Sequence, residues 1–243
     1  SARFRTAPVW EPFPYSYVGR PADDAFPAAT AREPVGGPMS ATITDVIFDY
    51  CDVLLDWRPR IPLEGQYPPG VIDMFFSADD PHGFRYYDRL SDSGWDEERI
   101  LADYEIEHGP AVAWVFRIYF ERQRLALAGL QPGMGELLRE LDASGVRLWG
   151  LTNFTTKYVR AAHELFPELN LLRDTVVSSE EGILKPDPEI YRRAIARFGV
   201  DPAATLFVDD KPANVEAARG LGLNGEVFGG VDRLRRSHYL DVS

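Results

Sequence analysis

Three short apolar runs in this 243-residue chain stop at residues able to do chemistry. Ile43 to Phe48 is followed by Asp49, Val146 to Leu151 by Thr152 and Asn153, and Thr205 to Val208 by Asp209 and Asp210. Lys185 precedes Pro186 and Asp187 at a helix-start pattern. Brought together, these residues are carboxylates, a hydroxyl, an amide and an ammonium. Crowded carboxylates repel one another and raise each other's pKa. A magnesium ion would relieve this, because it favours carboxylate, carbonyl and water oxygens. It would also hold a phosphoryl group against an attacking carboxylate. The lysine would offset charge on both, while the hydroxyl and backbone N–H groups took the other phosphate oxygens. Metal, positioned nucleophile and charge clamp are the parts phosphoryl transfer requires.

The elements that must position these residues follow from periodicity. The apolar runs, with Thr175 to Val177 and Glu226 to Phe228, suit strands buried on both faces. Between them lie helical stripes: Met134, Leu137, Leu138 and Leu141, then Ile190, Tyr191, Ala194 and Phe198, then Ala213 to Leu221 with Gly222 as its C-cap. Strand–helix alternation predicts an α/β fold, a Rossmann-like three-layer α/β/α core with a parallel sheet. Ligands of such sheets gather at the carboxyl ends of the strands, so distant residues meet on one edge. Between Asp56 and Leu130 no sheet pattern is evident. Glu97 to His108 and Ala111 to Leu127 read as helices, so 57–130 is expected to be a small inserted helical cap. The core is then 42–56 plus 131–243.

Composition narrows the function. Lys and Arg total 26 against 38 Asp and Glu, a net charge of −12, which argues against nucleic acid and against binding to anionic lipid. One cysteine, Cys51, excludes an internal disulfide and disfavours a cysteine zinc cage. No run of about 18 apolar residues and no signal-peptide pattern occurs, so a cytoplasmic protein without membrane attachment is expected, as monomer or homodimer. Residues 1–38 hold 7 of the 19 prolines and many aromatics, and 1–41 is expected to be an extended arm. Only three residues are lysines (Lys157, Lys185, Lys211), which makes the placing of each informative.

The runs VIFDYCDVLLDW (46–57), LTN (151–153), LKPDPEIY (184–191) and LFVDDKPANVEAA (206–218) resemble, in order, the four motifs of the haloacid dehalogenase-like hydrolase superfamily. The resemblance covers about 42–240, and an insertion between the first two motifs is where that family carries its helical cap. The nearest branch is that of the sugar-phosphate phosphatases. Carried over by position, the resemblance implies a magnesium-dependent phosphatase acting on a small phosphorylated metabolite. Asp49 would be the nucleophile, forming an aspartyl-phosphate, and a metal ligand. The backbone carbonyl of Cys51 and the carboxylates of Asp209 and Asp210 would complete the protein's magnesium ligands. Thr152 and Asn153 would hold phosphoryl oxygens, and Lys185 would bridge nucleophile and phosphate.

One departure matters. Many phosphatases of this superfamily carry a general acid/base Asp two residues after the nucleophile, and here that residue is Cys51. Losing such an acid typically forfeits about 10²–10⁴-fold in rate. The alternatives are a weak or inactive ligand-binding relative and a haloacid dehalogenase-type hydrolase, which also lacks that Asp. The dehalogenases usually lack the acidic pair as well, so Asp209 and Asp210 favour the magnesium enzyme. A phosphomutase needs the missing acid, and a receiver domain carries its acidic pair on the first strand.

Each residue also has a plain structural reading. Asp209 and Asp210 would cap the following helix, Lys185 would be a surface lysine, and Cys51 a small buried residue. His82, His108, His163 and His238 lack metal-ligand spacing. His82 is kept as a substrate-contact candidate in the cap. Arg58 and Arg60 would meet an anionic substrate or pair on the surface.

Overall fold

The computed structural model describes residues 42–240, so the arm expected over 1–41 lies outside the described residues. The chain runs β1 (Asp45–Phe48), β2 (Leu55–Trp57), α1 (Pro69–Phe75), α2 (Phe84–Asp92), α3 (Glu97–His108), α4 (Pro110–Arg122) and β3 (Leu127–Leu130). It continues α5 (Met134–Ala143), β4 (Arg147–Thr152), α6 (Thr156–Leu165), β5 (Leu172–Val177), α7 (Ser178–Glu181) and α8 (Pro188–Phe198). The last elements are β6 (Thr205–Asp209), α9 (Pro212–Arg219), β7 (Asn224–Val227) and α10 (Val231–Arg235).

The main sheet has the order β5-β4-β1-β6-β7, and every pairing is parallel. In the central strand, Val46 and Phe48 pack into one apolar cluster and Ile47 into another. The first cluster draws on α5, α6 and α10, the second on α8 and α9. Helices therefore cover both faces, which is why β1 is apolar at every position after Asp45. Asp45 itself is buried at the far end of the strand, where Thr44, Arg147 and Trp149 donate to it.

Register places the chemistry. Phe48 pairs with Gly150 on one side and Val208 on the other. The Asp49 N–H donates to the Val208 carbonyl at 2.9 Å, so Asp49 ends level with the end of β6 and just short of Thr152. The chain leaves β1 toward both sides of the sheet, the switch point at which such sheets bind ligands.

The segment between β2 and β3 has an apolar cluster of its own, built on Phe75, Phe84, Tyr104, Phe116, Tyr119 and Phe120. Burying each such ring contributes roughly 1.5–3 kcal/mol. Asp96 caps α3 by accepting from the Arg99 N–H, and Gly109, at φ 79, turns the chain directly into α4.

Three details differ from the sequence expectation. Leu127–Leu130 is a strand, pairing antiparallel with Leu55–Trp57 as a two-stranded ribbon at the base of the insertion. The helix expected over Ala111 to Leu127 stops at Arg122, and a 3₁₀ turn (Gln123–Ala126) leads into that strand. α9 ends with Gly220 as its C-cap, and Gly222, at φ +86, turns the chain two residues later.

Candidate active site

Asp49 sits one residue beyond β1, 5% exposed. Its Oδ1 accepts from its neighbour's N–H on Tyr50 at 2.7 Å and pairs with Lys185 Nζ at 2.8 Å. Oδ2 receives no hydrogen bond among the described residues. The turn that follows is closed by the N–H groups of Val53, Leu54 and Leu55, all donating to the Tyr50 carbonyl. Asp52 donates to the Leu55 carbonyl and holds φ at 63, a left-handed conformation that Asp tolerates better than most residues. None of these bonds closes on the Cys51 carbonyl.

Tyr50 anchors this turn to the sheet. Its hydroxyl meets His163 Nε2 at 2.8 Å and Thr175 Oγ1 at 2.9 Å. The ring crosses β4 at Gly150, where an added Cβ would lie 2.7 Å from Tyr50 Cε2 and 2.6 Å from Thr175 Oγ1. His163 is thus structural, as expected, and Gly150 is glycine because the tyrosine ring occupies its side-chain space.

Lys185 is the hub. Its side chain is 1% exposed, and Nζ donates to Asp49, to Asp209 Oδ2 at 2.7 Å and to the Leu151 carbonyl at 2.9 Å. Burial disfavours its charge, but Asp49 and Asp209 outweigh this and hold its pKa above the ordinary value. The surface-lysine reading therefore fails. Asp187 caps α8 by accepting from the Glu189 N–H, which fixes the loop carrying Lys185.

Asp209 also accepts from the Lys211 N–H and from Asn214 Nδ2. Burial opposes its ionisation, yet Lys185 and these donors win and lower its pKa. It tethers the approach to the following helix through these bonds, while the N-cap itself is Lys211 and has no side-chain cap, so the capping reading fails. Asp49 is pushed up to about 6, chiefly by burial and further by Asp209, against the pull of Lys185. Asp210 is also raised by burial, and its Oδ1 is buried with no donor.

Carboxylate oxygens of Asp49, Asp209 and Asp210 lie within 4.8 Å of one another. These three carboxylates outnumber the one ammonium bonded among them, Lys185, and a divalent cation would offset the excess negative charge. An all-oxygen donor set and a buried acceptor lacking any donor fit magnesium. Thr152, at the end of β4, is fully buried, and its Oγ1 is likewise unpartnered.

Asn153 departs from expectation. Its Oδ1 accepts from the Lys185 N–H at 2.8 Å and its Nδ2 donates to the Lys185 carbonyl at 3.0 Å. Both ends of the side-chain amide are committed to positioning the lysine loop. The Cys51 thiol has its pKa pushed up by burial and by surrounding carboxylates, so it is no reactive thiolate. Arg58 pairs with Asp56 and Arg60 with Asp73, both at the surface. His82 is exposed and faces Glu107 at 3.5 Å, while His108 holds Asp80 at 2.7 Å.

Sequence reasoning missed Asn214, Tyr50 and two acids of the insertion, Asp88 and Asp92. The two acids stand one helical turn apart on α2, and burial raises the pKa of both. Their signal was the i, i+4 spacing of two Asp within an otherwise mixed helix.

The family model of haloacid dehalogenase-like hydrolases matches residues 70–222. The chain belongs to this family. Its haloacid dehalogenase-like fold is shared with a variant of a HAD family enzyme from Bacteroides thetaiotaomicron in complex with magnesium and inorganic phosphate. That likeness has a TM-score of 0.62 at 18% identity, over 80% of this chain and all of the other. The chain is 37% identical over 92 residues to the sesquiterpene phosphatase astK of Aspergillus oryzae, covering 38% of this chain and 47% of that protein. It is 34% identical over 104 residues to flavin mononucleotide hydrolase 1 of Arabidopsis thaliana, covering 43% and 42%. It thus spans less than half of either relative. The family match contains Thr152, Lys185, Asp209 and Asp210 but begins after Asp49. The case for Asp49 accordingly rests on its ion pair with Lys185 and its place in the carboxylate cluster.

Proposed function

We propose that this haloacid dehalogenase-like hydrolase is a magnesium-dependent phosphatase of a small phosphate monoester, with a sugar phosphate as the substrate class, working in the cytoplasm. The observation that carries the reading is Lys185, held between Asp49 and Asp209 beside an unsatisfied Asp210 oxygen. This is an acidic metal pocket with its nucleophile already oriented.

Asp49 Oδ2 attacks phosphorus while Oδ1 stays fixed by Tyr50 and Lys185. An Asp49–phosphate bond forms as the ester P–O bond breaks, and the leaving oxygen takes a proton. Water then attacks the aspartyl-phosphate and releases inorganic phosphate. Lys185 offsets charge on the nucleophile and the phosphoryl group. The Thr152 hydroxyl and main-chain N–H groups after β4 hold phosphoryl oxygens, and Asn153 keeps the lysine loop in place. Magnesium would be held by Asp49, Asp209, Asp210 and the Cys51 carbonyl. When bound, it supplies the positive charge that lets a phosphate dianion approach three carboxylates. The inserted helices serve as the cap that excludes water. The acidic pair speaks against the dehalogenase alternative, which has no use for it.

A magnesium-dependent phosphatase screen of the wild type beside Asp49→Asn tests this. Phosphate release by wild type alone is expected. Equal release by both proteins would refute Asp49 as nucleophile.

A further inference from the structure

Two residues after Asp49 stands Cys51, whose thiol pKa is pushed up by burial, and the acid beside it, Asp52, is exposed. The inserted helices bring another acid to the same place. The end of α2 is fastened onto the sheet edge that carries Asp49. Ser178 Oγ donates to the Asp92 carbonyl at 2.6 Å, and Ser178 directly follows Val177, the β5 partner of Thr152. Two residues past α2, Gly94 lies so close to the Ser179 carbonyl that an added Cβ would be 2.8 Å from it. Arg89 and Ser93 line one cleft with Leu184, Lys185 and Pro186. Phe84, Tyr87 and Ser91 bury the inner face of α2, and Asp88 and Asp92 stand beside it, one turn apart.

Neither of these two carboxylates has a hydrogen-bond or ion-pair partner among the described residues. A second observation points to the same region. Tyr119, on α4, is fully buried, and its hydroxyl has no partner. The groups acting electrostatically on that hydroxyl are Asp88, Tyr158, Cys51 and Asp92. A buried hydroxyl without a partner normally costs about 1–3 kcal/mol, so a polar occupant belongs among these groups.

The two acids are not equivalent. Asp92 feels Asp88, Lys211, Asp49 and Lys185. The Asp92 main chain is also the part of α2 fastened to the sheet edge that carries Asp49.

We propose that Asp92, on the inserted helix α2 and backed by Asp88, is the general acid/base that the nucleophile turn lacks. The inference rests on the phosphatase reading above. In the first step the Asp92 carboxyl gives its proton to the leaving oxygen as the ester P–O bond breaks and the Asp49 O–P bond forms. In the second, the Asp92 carboxylate takes a proton from water as that water attacks phosphorus and the Asp49 O–P bond breaks. Burial raises the Asp92 pKa well above its ordinary value, and its neighbour Asp88 pushes it further, which favours the protonated form that the first step uses.

The test compares esters by leaving group, using holoenzyme with magnesium. Asp92→Asn should slow hydrolysis of an alkyl phosphate by about 10²–10⁴-fold while leaving the first-turnover burst of p-nitrophenol from p-nitrophenyl phosphate within about threefold of wild type. An aryl leaving group needs no proton, so an intact burst also shows that the variant is folded. Adding Cys51→Asp to Asp92→Asn should recover alkyl-ester turnover by restoring an acid from the core side. Equal losses on both esters, or wild-type rates on both, would overturn the proposal. Asp49→Asn must lose both esters. A wild type that hydrolyses neither would overturn the phosphatase reading and this proposal with it.

Discussion

Lys185 Nζ lies 2.8 Å from Asp49 Oδ1, and nothing among the described residues engages the other oxygen of that carboxylate. One oxygen is thereby a fixed handle, and in the proposed function the other is the one that attacks. The same ammonium ties Asp49 to Asp209, so the proposed nucleophile and the proposed metal pocket share its charge.

Removing that charge should be costly. Lys185→Met leaves two buried carboxylates facing each other, a loss of about 3–5 kcal/mol in stability together with activity. Urea unfolding with and without magnesium checks it. Magnesium should recover part of the lost stability in the variant, because it answers the same negative charge.

Thr152→Val should separate stability from function. The Thr152 hydroxyl is buried and unpartnered in the substrate-free protein. Its removal should leave thermal stability unchanged or raise it by up to about 1–3 kcal/mol. Loss of a donor to the phosphoryl group should lower kcat/KM by about 10²–10³-fold. A parallel fall in both quantities would show that Thr152 is structural.

Magnesium affinity should depend on pH with a definite sign. Burial pushes the Asp49 pKa up to about 6. Above that pH the carboxylate is ionised and available. Below it a proton competes, so apparent affinity should fall as pH drops through 6, by up to about tenfold per unit. Calorimetry in buffers of different ionisation enthalpy should detect proton release on binding near pH 6 and little well above it.

Gly150→Ala should test the Tyr50 anchor. The new methyl would press on the Tyr50 ring and Thr175, at a cost of about 1–3 kcal/mol. Because Tyr50 is next to Asp49, activity should fall in the folded variant too. Tyr50→Phe, which keeps the ring and loses the bonds to His163 and Thr175, should be the milder change in thermal melts.

Much of this site was legible because each short strand ends in its own functional residue. A both-faces-buried strand must be apolar until it emerges, so the first polar residue marks the edge of the sheet. That is why Asp49, Thr152 and Asp209 could be located from the sequence and why the structure brings them together with Lys185. Asn153 instead bonds the main chain of Lys185, and no side-chain pattern announces such a bond. The strand Leu127–Leu130 went unseen for a related reason. It is four residues long, contains Gly129, and takes its meaning from Leu55–Trp57, over seventy residues earlier. Asp88 and Asp92 were hidden in the mixed polarity of α2, whose inner face is set by tertiary packing.

The most direct test of the central claim is an acid quench during turnover of an alkyl phosphate with magnesium, followed by peptide mapping. The account predicts a phosphoryl group on the peptide containing Asp49, present in wild type, absent without magnesium and absent in Asp49→Asn. Phosphate release with the label on another residue, or undiminished in Asp49→Asn, would contradict it.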